Sequence, residues 1–296
     1  MLRLGTSTTI AFNRPKGQKE SLPRAVEICG KAGYKILDMN FHDCANFETP
    51  LLTNKWEFWV DEIANSAAKY NIEFSQSHLH FYEFLTASDE EKAKKEEIID
   101  RCLKASSILG VKWAVTHAAT AFYSVHMRDD SLRGNQEYFK RKLEAANRLG
   151  VSLAIENLWD LNIAPQKRYT ATAEELVELV DCFQSDQIGI AWDFEHAAIM
   201  NQDQIKALRY IGKRLKATHV SDHYGIDADH QLPYFGSTKW EQFLPILKEI
   251  GYRGDFVYET HRYTQNMPDE LMDAALKFSI EVGNHLIDII ENGKIK

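Results

Sequence analysis

The sequence has no run of more than three basic residues and no long apolar stretch. The 296-residue chain carries a formal net charge of −8, and its Lys and Arg residues are scattered. Because binding to a nucleic-acid backbone depends on clustered Lys and Arg, a general nucleic-acid-binding protein is disfavoured. The apolar runs fall short of the roughly 18 residues that a membrane-spanning helix needs. The first residues also lack the apolar core of a signal peptide.

Paired cysteines and the common nucleotide and nucleophile motifs are missing as well. The four cysteines lie far apart and form no C-x-x-C pair, which is typical of reduced thiols in a cytosolic protein. The chain has no phosphate-binding loop, no G-x-G-x-x-G after its first predicted strand, no G-x-S-x-G and no H-E-x-x-H. We therefore expect a soluble, cytoplasmic protein without nucleic-acid or membrane partners, whose chemistry rests on other residues.

Short apolar runs alternate with helical patterns eight times along the chain. The predicted strands are residues 2–7, 34–41, 72–80, 111–117, 151–156, 188–193, 216–221 and 255–260. Strict alternation implies an α/β fold of parallel strands joined by crossover helices. Since no Pro/Gly/Ser-rich linker interrupts the pattern, residues 1–296 are interpreted as a single-domain (β/α)₈ TIM barrel. A doubly wound open sheet is the alternative, but it usually has fewer strands.

Polar side chains stand at the ends of four successive predicted strands. Glu156 belongs to the fifth strand, Asp193 to the sixth, His219 to the seventh and Glu259 to the eighth. Alanine stands two positions before each of the first three, on the same face of its strand, and leaves room where side chains from many strands converge. In a barrel these strand ends share one mouth, which is where barrel enzymes place their chemistry.

Two Glu, one Asp and one His form a mostly hard, oxygen-rich set of ligands. A lone acidic residue at a strand end is usually a charge that faces solvent, but this sequence has such residues in register on four strands. Carboxylates only a few Å apart repel one another unless a cation or a proton compensates them. The sequence therefore predicts one divalent metal ion. Mn²⁺ is the ion we expect first, and Mg²⁺, Co²⁺ and Zn²⁺ also fit.

Further polar and aromatic residues surround the predicted mouth. His80 and His117 end the third and fourth predicted strands, and His196 lies three residues after Asp193. We predict that these three histidines bind substrate; the alternative for each is an ordinary hydrogen-bonded residue of the fold, or a further metal ligand. Trp159, just after the fifth strand, is the best candidate for an aromatic residue that lines a pocket. The turn at Gly236 before a helix gives a weaker prediction of an anion site.

The motifs at these positions resemble those of the xylose isomerase-like barrel superfamily. They are residues 155–157, 192–196, 218–222 and 258–260. The superfamily includes sugar phosphate isomerases and epimerases, ketose 3-epimerases, inosose dehydratases and endonuclease IV, of the second AP endonuclease family. The resemblance spans nearly the whole chain, but these motifs separate the members poorly.

Each branch of this superfamily implies a different metal site. In the epimerase branch, the resemblance implies one divalent metal held by the four strand-end residues, with Glu156 and Glu259 also moving a proton and His196 contacting substrate. In the endonuclease IV branch, it implies a three-zinc site completed by the predicted substrate-binding histidines and a loop Asp-x-His. Here that loop is Ala228-Asp229-His230, so the first Asp is missing. This difference, together with the acidic net charge, weakens the nuclease interpretation.

The sequence thus predicts a metal-dependent isomerase or epimerase of a sugar or sugar phosphate. One Glu removes the proton next to the substrate carbonyl to give an enediolate, and the same or the opposite Glu returns it. The alternatives are a dehydratase of the same fold, a metal phosphodiesterase acting on abasic DNA, and a sugar-binding barrel with a vestigial site. The last is disfavoured because every ligand position is filled. A homo-oligomer is compatible with the sequence, which leaves open the sugar and its phosphorylation.

Overall fold

Eight parallel strands form the centre of the computed structural model, which describes residues 1–160, 167–225 and 227–293. The strands are β1 (Leu4–Ser7), β2 (Ile36–Asn40), β3 (Glu73–His78), β4 (Trp113–His117), β5 (Ser152–Glu156), β6 (Ile188–Asp193), β7 (Leu215–His219) and β8 (Phe256–Tyr258). They pair in the order β7-β6-β5-β4-β3-β2-β1-β8, and every pairing in this ladder is parallel.

Helices connect these strands on the outside of the sheet. Within the described residues they are α1 (Thr9–Phe12), α2 (Leu22–Ala32), α3 (Phe41–Ala45), α4 (Trp56–Tyr70), α5 (Asp89–Ile108), α6 (Met127–Arg148), α7 (Ala173–Asp181), α8 (Phe194–Ile199), α9 (Gln204–Ile211), α10 (Trp240–Phe243), α11 (Pro245–Glu249) and α12 (Asp269–Asn292). Short 3₁₀ turns lie at Pro15–Gly17, Pro50–Leu52 and Gly212–Arg214. None of the helices in the described ranges has the length and apolar character to cross a membrane.

The two edge strands, β7 and β8, meet along a seam. The Val220 amide donates to the Val257 carbonyl (2.9 Å), and the Glu259 amide donates to the Val220 carbonyl (3.0 Å). Lower in the seam, the Thr218 hydroxyl donates to the Asp255 carbonyl (3.0 Å) and accepts from the Val257 amide (3.2 Å). The Thr218 side chain thus takes the place of backbone hydrogen bonds between β7 and β8. The sheet is a nearly closed barrel, and the predicted (β/α)₈ fold is confirmed.

The interior of the barrel is filled by small side chains. Val115, Ala154, Ala191 and Ala217 form a buried cluster of their own, separate from the large core between sheet and helices. They come from β4, β5, β6 and β7 and lie two positions below the strand-end residues His117, Glu156, Asp193 and His219. The predicted alternation of side chains is therefore correct, and it leaves space above the alanines for polar groups.

Helix boundaries follow local chemistry in several places. The Ser88 hydroxyl accepts from the Glu91 amide (3.2 Å) at the start of α5, as its sequence pattern predicts. Gly33 ends α2 with φ of +118°, a conformation that a residue with a Cβ rarely adopts, and leads into β2. By contrast, α6 begins at Met127 whereas the sequence predicts a helix over residues 135–149. Its first turns are polar and carry no apolar stripe, so periodicity does not reveal them.

Candidate metal centre

The four predicted metal ligands meet at the carboxyl-terminal mouth of the barrel. Glu156, Asp193 and His219 are the last residues of β5, β6 and β7, and Glu259 follows β8. Each of them offers one ligand atom, and these atoms all lie within 4.8 Å of one another. All four side chains are buried. The chain therefore brings three carboxylates and one imidazole together in a place that water reaches poorly.

The hydrogen bonds of this cluster leave donor atoms for a cation. His219 Nδ1 lies 2.8 Å from Glu156 Oε1 and 3.3 Å from Glu259 Oε2. Asp193 Oδ1 accepts from the His196 amide (2.7 Å), but its Oδ2 is buried and has no hydrogen-bond partner among the described residues. A buried carboxylate oxygen without a donor is costly unless a cation completes it. The residues present therefore fit a divalent metal ion.

The electrostatics of the cluster show how much negative charge has to be compensated. Burial and the neighbouring charges of Glu156 and Glu259 raise the pKa of Asp193 well above its usual value. Burial opposes protonation of His219, yet the same two carboxylates raise the pKa of its imidazole well above the usual value. Both pKa shifts favour the protonated form, which offsets negative charge in the site. A divalent ion would supply the same compensation.

Asp38 of β2 fixes the orientation of His219. Its Oδ2 lies 3.0 Å from His219 Nε2 and accepts from Gln76 Nε2 (3.0 Å). Because Nε2 faces Asp38, Nδ1 is the ring nitrogen that faces the carboxylates. Such carboxylate–histidine pairs orient the ring and strengthen its ligand nitrogen. Asp38 was not among the predicted site residues; its signal in the sequence is a single acidic residue in a mostly apolar strand.

Asp38→Ala should weaken metal binding by about 10–100-fold, because His219 loses the partner that holds its tautomer and ring angle. A competition titration against a chelating dye measures the affinity for Mn²⁺ or Zn²⁺. Asp38→Asn is the matched control: it keeps an oxygen for Nε2 and should lose less affinity. Thermal unfolding of the metal-free variants checks the fold. An unchanged affinity in folded Asp38→Ala would show that Asp38 does not position His219.

Glu156 also contacts two histidines with its other oxygen. Its Oε2 lies 2.9 Å from His117 Nε2 and 3.2 Å from His78 Nε2. His78, His117 and Glu156 form a second group whose ligand atoms lie within 4.8 Å of one another. The prediction places His117 at the mouth correctly, but it does not include His78.

The structure corrects the predicted position of His80. Strand β3 ends at His78, two residues earlier than the sequence predicts, after which the Leu79 amide pairs with the Val115 carbonyl (2.9 Å) and the chain leaves the sheet. His80 is buried against His42, with 5.2 Å between ring centroids, and does not line the cavity at the mouth. His78 thus lies where we expected His80, and this placement gives no support to a substrate contact by His80.

A cavity of about 520 Å³ opens at the mouth, with Glu156 and Glu259 among its lining residues. The predicted residues His117, His196 and Trp159 line it. The Trp159 ring lies 6.2 Å from the His196 ring, between centroids. Further lining residues that the sequence analysis did not assign to the site are Asn40, His42, Asp43, His78, Phe81, Leu158, Asp160, Arg168, His230 and His261.

The Phe81 ring forms one wall of this cavity. It stacks on His42 at 3.9 Å and lies 3.8 Å from the His117 ring, between centroids. Its neighbour His42 has a pKa lowered to about 2, because the ring is buried beside other histidines. This wall is therefore uncharged and aromatic, which suits the C–H face of a sugar.

The loop after β7 brings His230 to the cavity. The buried Glu195 carboxylate accepts from the Ser221 hydroxyl (2.6 Å) and from the amides of Asp229 (2.7 Å) and His230 (3.0 Å). His230 in turn stacks on His261, with 4.5 Å between ring centroids. The first Asp of the Asp-x-His motif is missing from this loop, as the sequence indicates: its place is taken by Ala228, which is buried and has no ligand atom in its side chain.

The turn at Gly236 surrounds the carboxylate of Asp222, which is a side chain of the same protein. The Asp222 carboxylate accepts from the amides of His223 (2.9 Å), Thr238 (3.0 Å) and Tyr234 (3.1 Å) and from Trp240 Nε1 (3.1 Å). A Cβ at Gly236 would come within 2.3 Å of Asp222 Oδ1. The anion site predicted here is therefore an internal carboxylate that ties the loop to α10.

Comparison with known proteins gives one family and several similar folds. The family described as "Xylose isomerase-like TIM barrel" matches residues 26–282. The uncharacterized protein y4fM of Sinorhizobium fredii is 25% identical over 183 residues, which are 60% of this chain and 56% of that protein. The chain thus matches little more than half the length of this relative.

Two solved structures illustrate the similarity in fold. A D-tagatose 3-epimerase-like protein has a TM-score of 0.78 and 18% identity over 99% of both chains. The IOLI protein, solved with a bound zinc atom, has a TM-score of 0.72 and 19% identity over the full length of both. At these identities the likeness demonstrates a shared barrel and does not by itself transfer an activity.

Proposed function

Because the chain belongs to the xylose isomerase-like TIM barrel family, we propose that it is a divalent-metal-dependent isomerase or epimerase of a sugar. The observation that carries this proposal is the convergence of Glu156, Asp193, His219 and Glu259, whose ligand atoms lie within 4.8 Å of one another, with both glutamates lining the cavity. The likeness to a D-tagatose 3-epimerase-like protein agrees with it.

Glu156 and Glu259 are the residues that would move the proton. A divalent cation held by the four ligands would stabilise negative charge as it develops on the substrate carbonyl oxygen. Glu156 comes from β5 and Glu259 from the end of β8, so the two carboxylates approach the cavity from different sides. One removes the proton from the carbon next to the carbonyl, giving an enediolate. The same or the other carboxylate then returns it.

Neutral histidines around the two carboxylates would hold the sugar hydroxyls. Burial lowers the pKa of His117 to about 4 and that of His230 to about 4. Both rings are therefore uncharged at neutral pH; a neutral imidazole donates one hydrogen bond and accepts one, and in His117 the donor already faces Glu156. They bind hydroxyl groups without adding positive charge to the cavity.

The charge of the cavity favours a sugar without phosphate. Asp43, Asp160 and the two proton-transferring glutamates line it. Among the described lining residues Arg168 is the only Lys or Arg, and its guanidinium lies 3.6 Å from Glu83. Residues 161–166 add no charged side chain by sequence. A phosphate dianion would meet mostly carboxylates here, so we propose an uncharged substrate.

The test is a panel assay of Mn²⁺-loaded protein with free ketoses, their phosphate esters and an inosose. We expect stereochemical or carbonyl-position change in a free ketose, with a kcat/KM about tenfold or more above that of its phosphate ester, since like charges lower transition-state affinity. A higher kcat/KM for the phosphate ester would reject the uncharged substrate. If the protein removes water from the inosose and does not convert the ketoses, its activity is that of a dehydratase and not of an isomerase.

A two-metal phosphodiesterase is the second candidate, favoured by the group formed by His78, His117 and Glu156. Metal analysis separates the two functions, because the isomerase needs one ion per chain and the nuclease more. We expect one ion, and no sub-micromolar affinity for abasic duplex DNA at about 0.15 M salt, since clustered cations are lacking at the mouth. Cleavage of that DNA with two or more ions bound would establish the nuclease instead.

A further inference from the structure

A second large cavity lies at the opposite, amino-terminal end of the barrel. It has a volume of about 740 Å³, within the range of small-molecule sites. Its lining comes from the starts of several strands and from the loops before them, including Ser75, Lys112, Trp113, Lys216 and Arg253. None of the four candidate metal ligands is among its described lining residues, although Gln76, which donates to Asp38, is one of them. The two cavities are separated by the buried cluster of Val115 and three alanines.

Irregularities in two strands direct polar side chains into this cavity. In the pairing of β2 with β3, Leu37 faces Phe74 and Asp38 faces Gln76, so Ser75 is an extra residue. In the pairing of β6 with β7, Ile190 faces Leu215 and Ala191 faces Ala217, so Lys216 is extra. Such bulges re-aim a side chain and are common beside functional sites. Both extra residues line the cavity.

The two bulged residues are poised differently. The Ser75 hydroxyl is buried and has no hydrogen-bond partner among the described residues. Lys216 packs its stem against Gly189, where a Cβ would come within 2.2 Å of Lys216 Cγ. A larger residue at 189 would displace the lysine. The Lys216 stem is therefore held at the edge of the cavity, where its ammonium group is available to an anion.

Trp113 provides a rigid aromatic surface next to Lys216. Its ring packs against the buried cluster inside the barrel, and it is half-buried rather than covered. Lys216 Nζ lies 5.8 Å from the centre of this ring. A planar ring can stack on the exposed part of the indole while a charged group beside it reaches the ammonium.

The charge of this cavity is opposite to that of the whole chain. Its two acidic lining residues, Glu73 and Asp255, are both engaged by Arg3 in paired hydrogen bonds of 2.7–3.1 Å and 2.8 Å. The other cationic side chains that line it are Lys112, Lys213, Lys216 and Arg253, and none forms a salt bridge within the described part of the chain. A protein of net charge −8 thus carries a locally positive cavity.

We propose that this cavity binds a nucleotide, with its base stacked on Trp113 and its phosphate held by Lys216 and Lys112. Stacking on an aromatic residue and contact with lysines are the two means by which proteins bind bases and phosphates without reading sequence. Among the described residues the two cavities share no lining residue, so this site is distinct from the proposed isomerase site.

Isothermal titration of the metal-loaded protein with AMP, inorganic phosphate and adenosine tests this site. AMP should bind more tightly than phosphate or adenosine, because only AMP engages both the indole and the lysines. The double variant Lys112→Glu/Lys216→Glu should lower the affinity for AMP by about tenfold or more. Trp113→Leu, which keeps an apolar side chain against the barrel interior, should weaken it by about fivefold or more.

The matched control is Lys104→Glu/Lys140→Glu, which makes the same change in net charge with exposed lysines of α5 and α6 outside the cavity. It should bind AMP as the unmodified protein does. If both double variants lose the same AMP affinity, the effect comes from net charge alone and the proposed site is wrong. If AMP does not bind, the proposal of a nucleotide ligand is wrong. It is also wrong if phosphate binds as tightly as AMP and Trp113→Leu leaves AMP affinity unchanged.

Discussion

Glu156→Gln should lower turnover of the metal-loaded protein by about 10²-fold or more, and Glu259→Gln should do the same. A glutamine keeps an oxygen that can bind the cation, but it cannot accept a proton at neutral pH. The Glu156 side chain is buried and enclosed by histidines 78, 117 and 219, so a glutamine of nearly the same shape should stay in place. The loss should therefore appear in proton transfer rather than in folding.

Exchange of substrate hydrogen with ²H₂O measures that step directly. The unmodified protein should place deuterium on the carbon next to the carbonyl, and both variants should do so slowly while retaining metal. Glu144→Gln is the control, because it removes the same charge from an exposed position on α6. Metal-loaded Gln variants that exchange at the unmodified rate would show that neither glutamate is the base.

Asp222→Ala should destabilise the protein by about 3–5 kcal/mol. The carboxylate is buried and accepts four hydrogen bonds, from three backbone amides and the Trp240 indole. Its removal leaves those donors unpaired and frees the loop that carries His230. Denaturant unfolding followed by fluorescence and circular dichroism gives the change in free energy.

Two further variants make this result specific. Asp222→Asn keeps the shape and one acceptor oxygen, so it should fall between the alanine variant and the unmodified protein. Asp227→Ala lies in the same loop, is exposed, and should change stability by less than about 0.5 kcal/mol. A loss below about 1 kcal/mol for Asp222→Ala would mean that water replaces the carboxylate without cost.

The barrel and the convergence of the four strand-end residues could be predicted because both follow from short-range patterns. Alternation of side chains along a strand decides which residues face the interior, and the carboxyl ends of parallel strands share one mouth. Glu156, Asp193 and His219 end their strands with alanine two positions below, so the pattern was legible in the sequence. No long-range information was needed.

His78, Asp38 and Asp222 could not be predicted in the same way. The end of β3 depends on where Leu79 pairs with Val115 of another strand, which local sequence does not encode. Asp38 acts on His219, 181 residues away in the chain. Such pairings depend on the assembled barrel. A lone acidic residue in an apolar strand signals an internal partner but does not identify it.

The seam between β7 and β8 has a mechanical consequence for the proposed metal. His219 stands on one side of the seam and Glu259 on the other, and few backbone hydrogen bonds join the strands there. A cation bound by both residues would crosslink the two strands where few backbone hydrogen bonds connect them. Local opening there should then become rarer when metal binds, so amide hydrogens of Val220 and Glu259 should exchange with solvent more slowly in the metal-loaded protein.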